Sequence, residues 1–356
     1  MRGADPDPDT ARLRHHGDVE AEPGLLDFAV NVQADAPPGW LRERLAAALD
    51  GLARYPSAAH DAAARAAVAA RHGRHPEEVL VLGGSAEGFA LLPGLAPRHA
   101  AVVHPGFTEP EAALRAAGIP VTRVLTEESA GHRFDPAAIP ADADLVVIGN
   151  PTNPTGVLHP ARAVAAAARP GRVLVVDEAF ADALPGEPES LAGPGHLPGL
   201  LVLRSLTKTW ALAGLRAGYA LGAPELLARL AAPRPPWPVG TLALEAVIAC
   251  SEPAAVELAA RAARTLVTRR AAQAAALAAL PGVEVLPGVA PYLLLRLPAG
   301  QGSRVREQLR AAGIAVRRGD TFPGLGPDHL RVAVRPAEQV GVLVEALASA
   351  LARMAA

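Results

Sequence analysis

The chain has 356 residues, with 34 basic against 36 acidic side chains and a formal net charge of −2. That balance leaves no basic footprint for nucleic acid or an anionic membrane, and no apolar run is long enough to span a bilayer. A single cysteine, Cys250, excludes an internal disulfide and a cysteine-based metal cluster. The acidic, proline-broken opening at residues 1–9 is no ordinary secretory signal, so the expected location is cytoplasmic.

In chain order, residues 1–45 read as an irregular segment, expected to pack on a small C-terminal domain. From there, short apolar runs alternate with alanine-rich helical stretches. Strands are predicted at 79–82, 100–103, 145–148, 172–176, 200–203 and 217–221, with helices beginning near Ala86 and spanning 109–117. Nearly continuous apolar strands separated by helices predict a mainly parallel sheet covered on both faces, with ligands at the carboxyl ends of the strands. The proline-rich run at 233–238 reads as a linker. Beyond it, a long helix over 241–280 is expected to kink at Pro253. Strands at 291–297, 314–318 and 330–334, with helices at 303–312 and 337–352, then suggest a small α+β domain. The expected division is 1–45, 46–238 and 239–356.

The rare residues carry the chemistry. All but one of the basic residues are arginine, and Lys208 is the sole lysine. Arginine is permanently charged and supplies no neutral amine at working pH, so a lone lysine marks a position that arginine cannot fill. Mutational chance is the alternative for Lys208, and its neighbouring residues decide between the two. Its neighbours are Ser205-Leu206-Thr207-Lys208, with Arg216 eight residues on, Asp177 at a strand end, and Asn153 within Asn150-Pro151-Thr152-Asn153-Pro154. This set supplies what pyridoxal phosphate needs: an amine for the covalent bond, a carboxylate for the pyridinium nitrogen, and hydroxyls, amides and arginine for the phosphate. The eleven histidines show no metal-ligand spacing, so no metal is expected.

These segments resemble the fold-type-I pyridoxal-phosphate enzymes of the class I/II aminotransferase superfamily, over about residues 15–347. The resemblance implies an α/β large domain with a mainly parallel central sheet covered by helices, plus a small α+β domain. It also implies Lys208 as the cofactor-bonded lysine and proton carrier, Asp177 on the pyridine nitrogen and Asn153 on the ring's phenolic oxygen. Ser205, Arg216 and the amides of Ser85 and Ala86 would hold the phosphate, and Phe107 would stack on the ring. Tyr55 matches a tyrosine that reaches the phosphate of a neighbouring subunit, which implies a homodimer. Arg331 matches the arginine on the substrate carboxylate. Arg335, four residues on, reads either as a second substrate clamp or as a solvated arginine at a helix start. One departure concerns Phe180: many relatives have a tyrosine there that donates to the ring oxygen.

Two branches of the superfamily are the most similar: histidinol-phosphate aminotransferases and the threonine-phosphate decarboxylases of cobalamin synthesis. The segments around His16-Gly17-Asp18 and Leu26–Val32, with Asp177–Phe180, Ser205–Lys208 and Phe322–Arg335, resemble the decarboxylases. Gly17-Asp18 departs from the Gly-Gly-Asn usual in that branch. The expected activity is decarboxylation of L-threonine O-3-phosphate, with His16, Asn31, Arg331 and Arg335 on the substrate. The alternatives are histidinol-phosphate transamination and a non-catalytic cofactor binder. A nicotinamide dehydrogenase is disfavoured, because no Gly-x-Gly-x-x-Gly follows a first strand.

Overall fold

The computed structural model describes residues 8–195 and 197–355; the acidic opening lies, up to residue 7, outside them. A seven-stranded sheet forms the centre of the larger domain. Its spatial order is Val79–Leu82, Gly218–Gly222, Leu200–Ser205, Val173–Asp177, Leu145–Gly149, Ala100–His104 and Val121–Leu125. Six of these strands run in one direction, and Gly218–Gly222 is antiparallel to both of its neighbours. The apolar runs are buried on both faces: Val146, Val176 and Val202 face one core cluster, and Leu145, Val175 and Leu201 the other. The edge strand Val121–Leu125 was not predicted. Its Val-Thr-Arg-Val-Leu pattern carries polar residues that a central strand would not.

Local signals set the helices. Ser57 caps Ala58–His72 by accepting from His60 N at 3.1 Å, and Gly73 ends it in the left-handed region at φ 64°. The predicted long helix is two helices, Thr241–Ser251 and Pro253–Ala278. Glu252 between them is extended (φ −62°, ψ 145°), as the ring of a following proline requires, and Pro253 occupies the first helical position.

A four-stranded antiparallel sheet, in the order Arg317–Arg318, His329–Ala333, Tyr292–Arg296 and Glu284–Val285, builds the smaller core with Gly302–Ala311 and Ala337–Ala355. The stretch predicted as one strand at 314–318 is split. Ile314–Ala315 pairs parallel with Leu26–Asp27, whereas Arg317–Arg318 joins the four-stranded sheet.

The expected linking helix packs on the large domain. Helix Thr241–Ser251 buries Ala243, Leu244, Ala246 and Val247 in the same core as the seven-stranded sheet, so it stands with the large domain despite following the proline-rich run. The N-terminal segment is shared. Phe28 sits in the small core, Leu41 of helix Gly39–Ala47 sits in the large one, and Thr108 Oγ1 donates to Leu13 O. Among the described residues, no helix is long and apolar enough to cross a membrane, and no group of three or more His, Cys, Asp or Glu could hold a metal ion.

Candidate active site

A cavity of about 530 Å³ opens at the carboxyl ends of the parallel strands, walled by both domains and the N-terminal segment. Asp177 and Ser205 are the last residues of adjacent strands, and Lys208 follows three residues after Ser205. Ser85 and Ala86 begin helix Ser85–Leu91, while Phe107 and Asn153 lie on the loops after two further strands. The N-terminal segment contributes His16 and Asn31, and the small domain contributes Arg331. All of these, with Arg216, line the one cavity.

At one end the backbone is shaped for an anion. The first turn of helix Ser85–Leu91 follows Gly84, whose φ of 82° and close neighbour suit glycine alone: a Cβ there would lie 2.9 Å from Arg216 Nη2. Arg216 itself holds a left-handed φ of 62°. Its guanidinium donates to Ala213 O at 3.2 Å and, among the described residues, pairs with no carboxylate. Ser205 Oγ lies 2.8 Å from Thr207 Oγ1 beside it.

At the other end sits a carboxylate with little to balance it. Asp177 accepts from Ala179 N at 3.1 Å, and burial, abetted by the Glu178 charge, pushes its carboxyl up to about 7. Lys208 is driven the other way, down to about 8, by burial and by the cations Arg331 and Arg216, against the opposing pull of Asp18 and Asp177. Phe180 packs edge-on against Tyr292 at 5.1 Å, and Tyr292 Oη donates to Thr152 O at 2.9 Å. None of the three tyrosines lines the cavity, so no tyrosine hydroxyl replaces the donor missing at Phe180.

On the substrate side Arg331 is buried; it donates to Asn153 Oδ1 and Ala29 O. Its bond to Oδ1 leaves the Nδ2 group of Asn153 as the side chain's donor. Sequence reasoning missed Arg317, which is buried on the same cavity and donates to Arg318 O at 2.9 Å and His15 O at 2.6 Å. Burial and the nearby Arg331 hold its guanidinium below the ordinary arginine range. Among the described residues, neither Arg317 nor Arg331 has a carboxylate partner. Asp18 and Glu109 also line the cavity, with Glu109 accepting from His16.

Two predicted residues lie elsewhere. Tyr55 is 74% exposed and stacks on Trp237 at 4.2 Å, outside this chain's cavity. Arg335, expected on the substrate, does not line the cavity; all three of its donor nitrogens are taken by backbone carbonyls of residues 27–32.

Residues 23–347 match the family described as aminotransferase class I and II. The chain belongs to that family. It is 55% identical to a histidinol-phosphate aminotransferase of Mycobacterium tuberculosis over 95% of this chain and 91% of that one. It is 34% identical to a threonine-phosphate decarboxylase of Salmonella typhimurium, over 93% and 92% respectively. A crystal structure of the histidinol-phosphate aminotransferase from Clostridium acetobutylicum shares the fold, with a TM-score of 0.84 at 22% identity, covering 92% of this chain and all of that one.

Members of the family are enzymes that depend on pyridoxal phosphate. The residues present fit that group. Asp177 is a half-buried carboxylate that, among the described residues, has no ion-pair contact, and a protonated ring nitrogen would supply one. At the opposite end the Gly84 turn, the amides behind it and an unpaired Arg216 make a cradle for a phosphate.

Proposed function

We propose that this enzyme decarboxylates a phosphorylated β-hydroxy amino acid, L-threonine O-3-phosphate, in cobalamin biosynthesis. The observation that carries this reading is the pair Arg317 and Arg331: two buried guanidinium groups on one cavity, neither matched by a carboxylate among the described residues, beyond the Arg216 that would serve the cofactor phosphate. Buried charge without a partner is costly, so such a pair favours a ligand with two anionic groups, here a carboxylate and a phosphate monoester.

Bound pyridoxal phosphate supplies a covalent anchor for the substrate amine and an electron sink for the bond that breaks at the α-carbon. The chain supplies everything else. Asp177 would hold the cofactor through its ring nitrogen, Asn153 through its ring oxygen and Phe107 through its ring face. Ser205, Arg216 and the amides of Ser85 and Ala86 hold the cofactor phosphate. Arg317 and Arg331 would orient the substrate through its anionic groups, and that orientation selects which bond at the α-carbon is broken. Lys208 Nζ delivers a proton to the α-carbon once carbon dioxide has left.

A second reading, transamination of histidinol phosphate, is favoured by the 55% identical Mycobacterium tuberculosis relative and by Asp18. A carboxylate on the cavity suits imidazole N–H donors better than it suits a second anion. The test is to incubate the cofactor-loaded enzyme with threonine phosphate and, separately, with histidinol phosphate plus 2-oxoglutarate. Carbon dioxide from the first is expected. Glutamate from the second, with no carbon dioxide from the first, would establish the rival.

We also infer a homodimer, in which the exposed Tyr55–Trp237 stack, with Leu49 and Leu52 exposed near it in sequence, meets a second copy. Sedimentation should give twice the chain mass. A fully active species of single-chain mass would overturn this.

A further inference from the structure

Residues 27–33 form a strap that carries Ala29, Val30 and Asn31 onto the cavity wall. Its start is a local turn, with Asp27 Oδ1 accepting from Ala29 N at 2.7 Å and Val30 N at 2.9 Å. Phe28 bonds the small domain through Ala315 O and Ala333 N, both at 2.8 Å. At the far end Gln33 N donates to the carbonyl of Lys208 at 3.1 Å. Between these anchors, among the described residues, 30–32 make no backbone hydrogen bond to the backbone of another segment. Arg335 holds them instead: Nε donates to Asp27 O at 2.8 Å, Nη1 to Val32 O at 2.6 Å and Nη2 to Val30 O at 2.6 Å. Asn31, at the centre of that grip, is 4% exposed, and its Oδ1 has no partner among the described residues. A buried acceptor left open on a cavity wall is costly unless a ligand supplies the donor.

We propose that Arg335 is a positioning residue for substrate recognition: by gripping the carbonyls of Asp27, Val30 and Val32, it holds Asn31 Oδ1 at the cavity, where it accepts a hydrogen bond from an N–H or O–H of the substrate. Lysine could not do this. A planar guanidinium reaches three carbonyls from one rigid fork, whereas an ammonium on a flexible stem is a point donor. The proposal rests on the reading that the substrate occupies this cavity, and the experiment separates the two.

The holoenzymes compared are wild type, Arg335→Met, Arg335→Lys, Asn31→Ala and the Asn31→Ala/Arg335→Met double variant. Without substrate, Arg335→Met should raise hydrogen exchange of the amides at 29–33 at least about tenfold, with the large-domain helices unchanged. For whichever phosphorylated compound is turned over, Arg335→Met and Asn31→Ala should each raise KM roughly tenfold with kcat little changed. The double variant should be no worse than either single one, because Arg335 acts through Asn31. A residue that merely props up the fold would lower Tm and give additive KM effects; additive effects, or unchanged exchange at 29–33, overturn the proposal. If neither compound is turned over, the substrate reading fails and exchange alone decides the strap. If Arg335→Met does not fold, Arg335→Lys gives the same readouts with the charge kept.

Discussion

Replacing Lys208 with arginine should give a folded protein that forms no imine with the cofactor, with kcat reduced by roughly 10⁴-fold or more. The substitution keeps the positive charge that the cavity tolerates but removes both the covalent anchor and the proton carrier, since a guanidinium is no usable nucleophile. Proton transfer alone is worth about 10²–10⁴-fold. Wild type should be yellow, and borohydride should fix the cofactor on Lys208, with nothing fixed in the variant. Peptide mapping is unusually clean here, because Lys208 is the sole lysine of the chain. The same solitude makes its ionisation measurable. In cofactor-free protein, burial and the cations Arg331 and Arg216 lower Lys208 to about 8, so its labelling by an amine reagent should rise with a midpoint near that pH. Replacing Arg331 with leucine should move the midpoint upward, because a neighbouring cation opposes protonation. A midpoint near that of ordinary surface lysines would mean that the amine is not held in this field.

The sequence made the cofactor end of the site legible because its residues are locally marked. Asp177 and Ser205 stand where apolar runs end, Gly83-Gly84-Ser85 follows a strand, and Lys208 is the sole lysine, so each position is marked by an element boundary or by its rarity. The substrate end has no such marks. Arg317 is one arginine among many and lies in a stretch that reads as one strand from 314 to 318. The chain breaks that run between two sheets, a choice made by tertiary pairing with Leu26–Asp27 and with His329–Ala333. In the sequence Arg335 reads either as a substrate clamp or as a solvated arginine at a helix start, and nothing local points to the strap. The strand ends at Ala333 and Val334 bonds back to Pro291 O, so the strand's alternation of faces lapses before Arg335 and its guanidinium turns to the strap. The packing of the helix after the proline-rich run is likewise hidden in the sequence. Prolines mark a break in the backbone, but the helix beyond it is alanine- and leucine-rich, and its apolar side chains close the core of the large sheet.

Arg317→Met should lower kcat/KM for the phosphorylated substrate about a hundredfold while leaving the cofactor's visible absorption unchanged. Truncating one partner of a buried charge pair costs about 2–5 kcal/mol, and 1.4 kcal/mol is tenfold. The loss should fall mainly on KM, because Arg317 touches neither Asp177 nor Lys208 and only orients what Lys208 acts on. The ligand-free variant should also be at least as stable as wild type. In the absence of substrate Arg317 is buried, lacks a carboxylate and lies close enough to Arg331 for the two charges to oppose one another. Its bonds to Arg318 O and His15 O recover part of that cost, and methionine gives them up while filling much of the same volume over the Phe322 ring. Wild type, on the other hand, should gain more Tm than the variant when inorganic phosphate is added, since only wild type has both cations to bind it. A variant that loses stability in the ligand-free state and keeps its full phosphate-induced rise in Tm would show that Arg317 ties His15 to the small domain and takes no part in holding an anion.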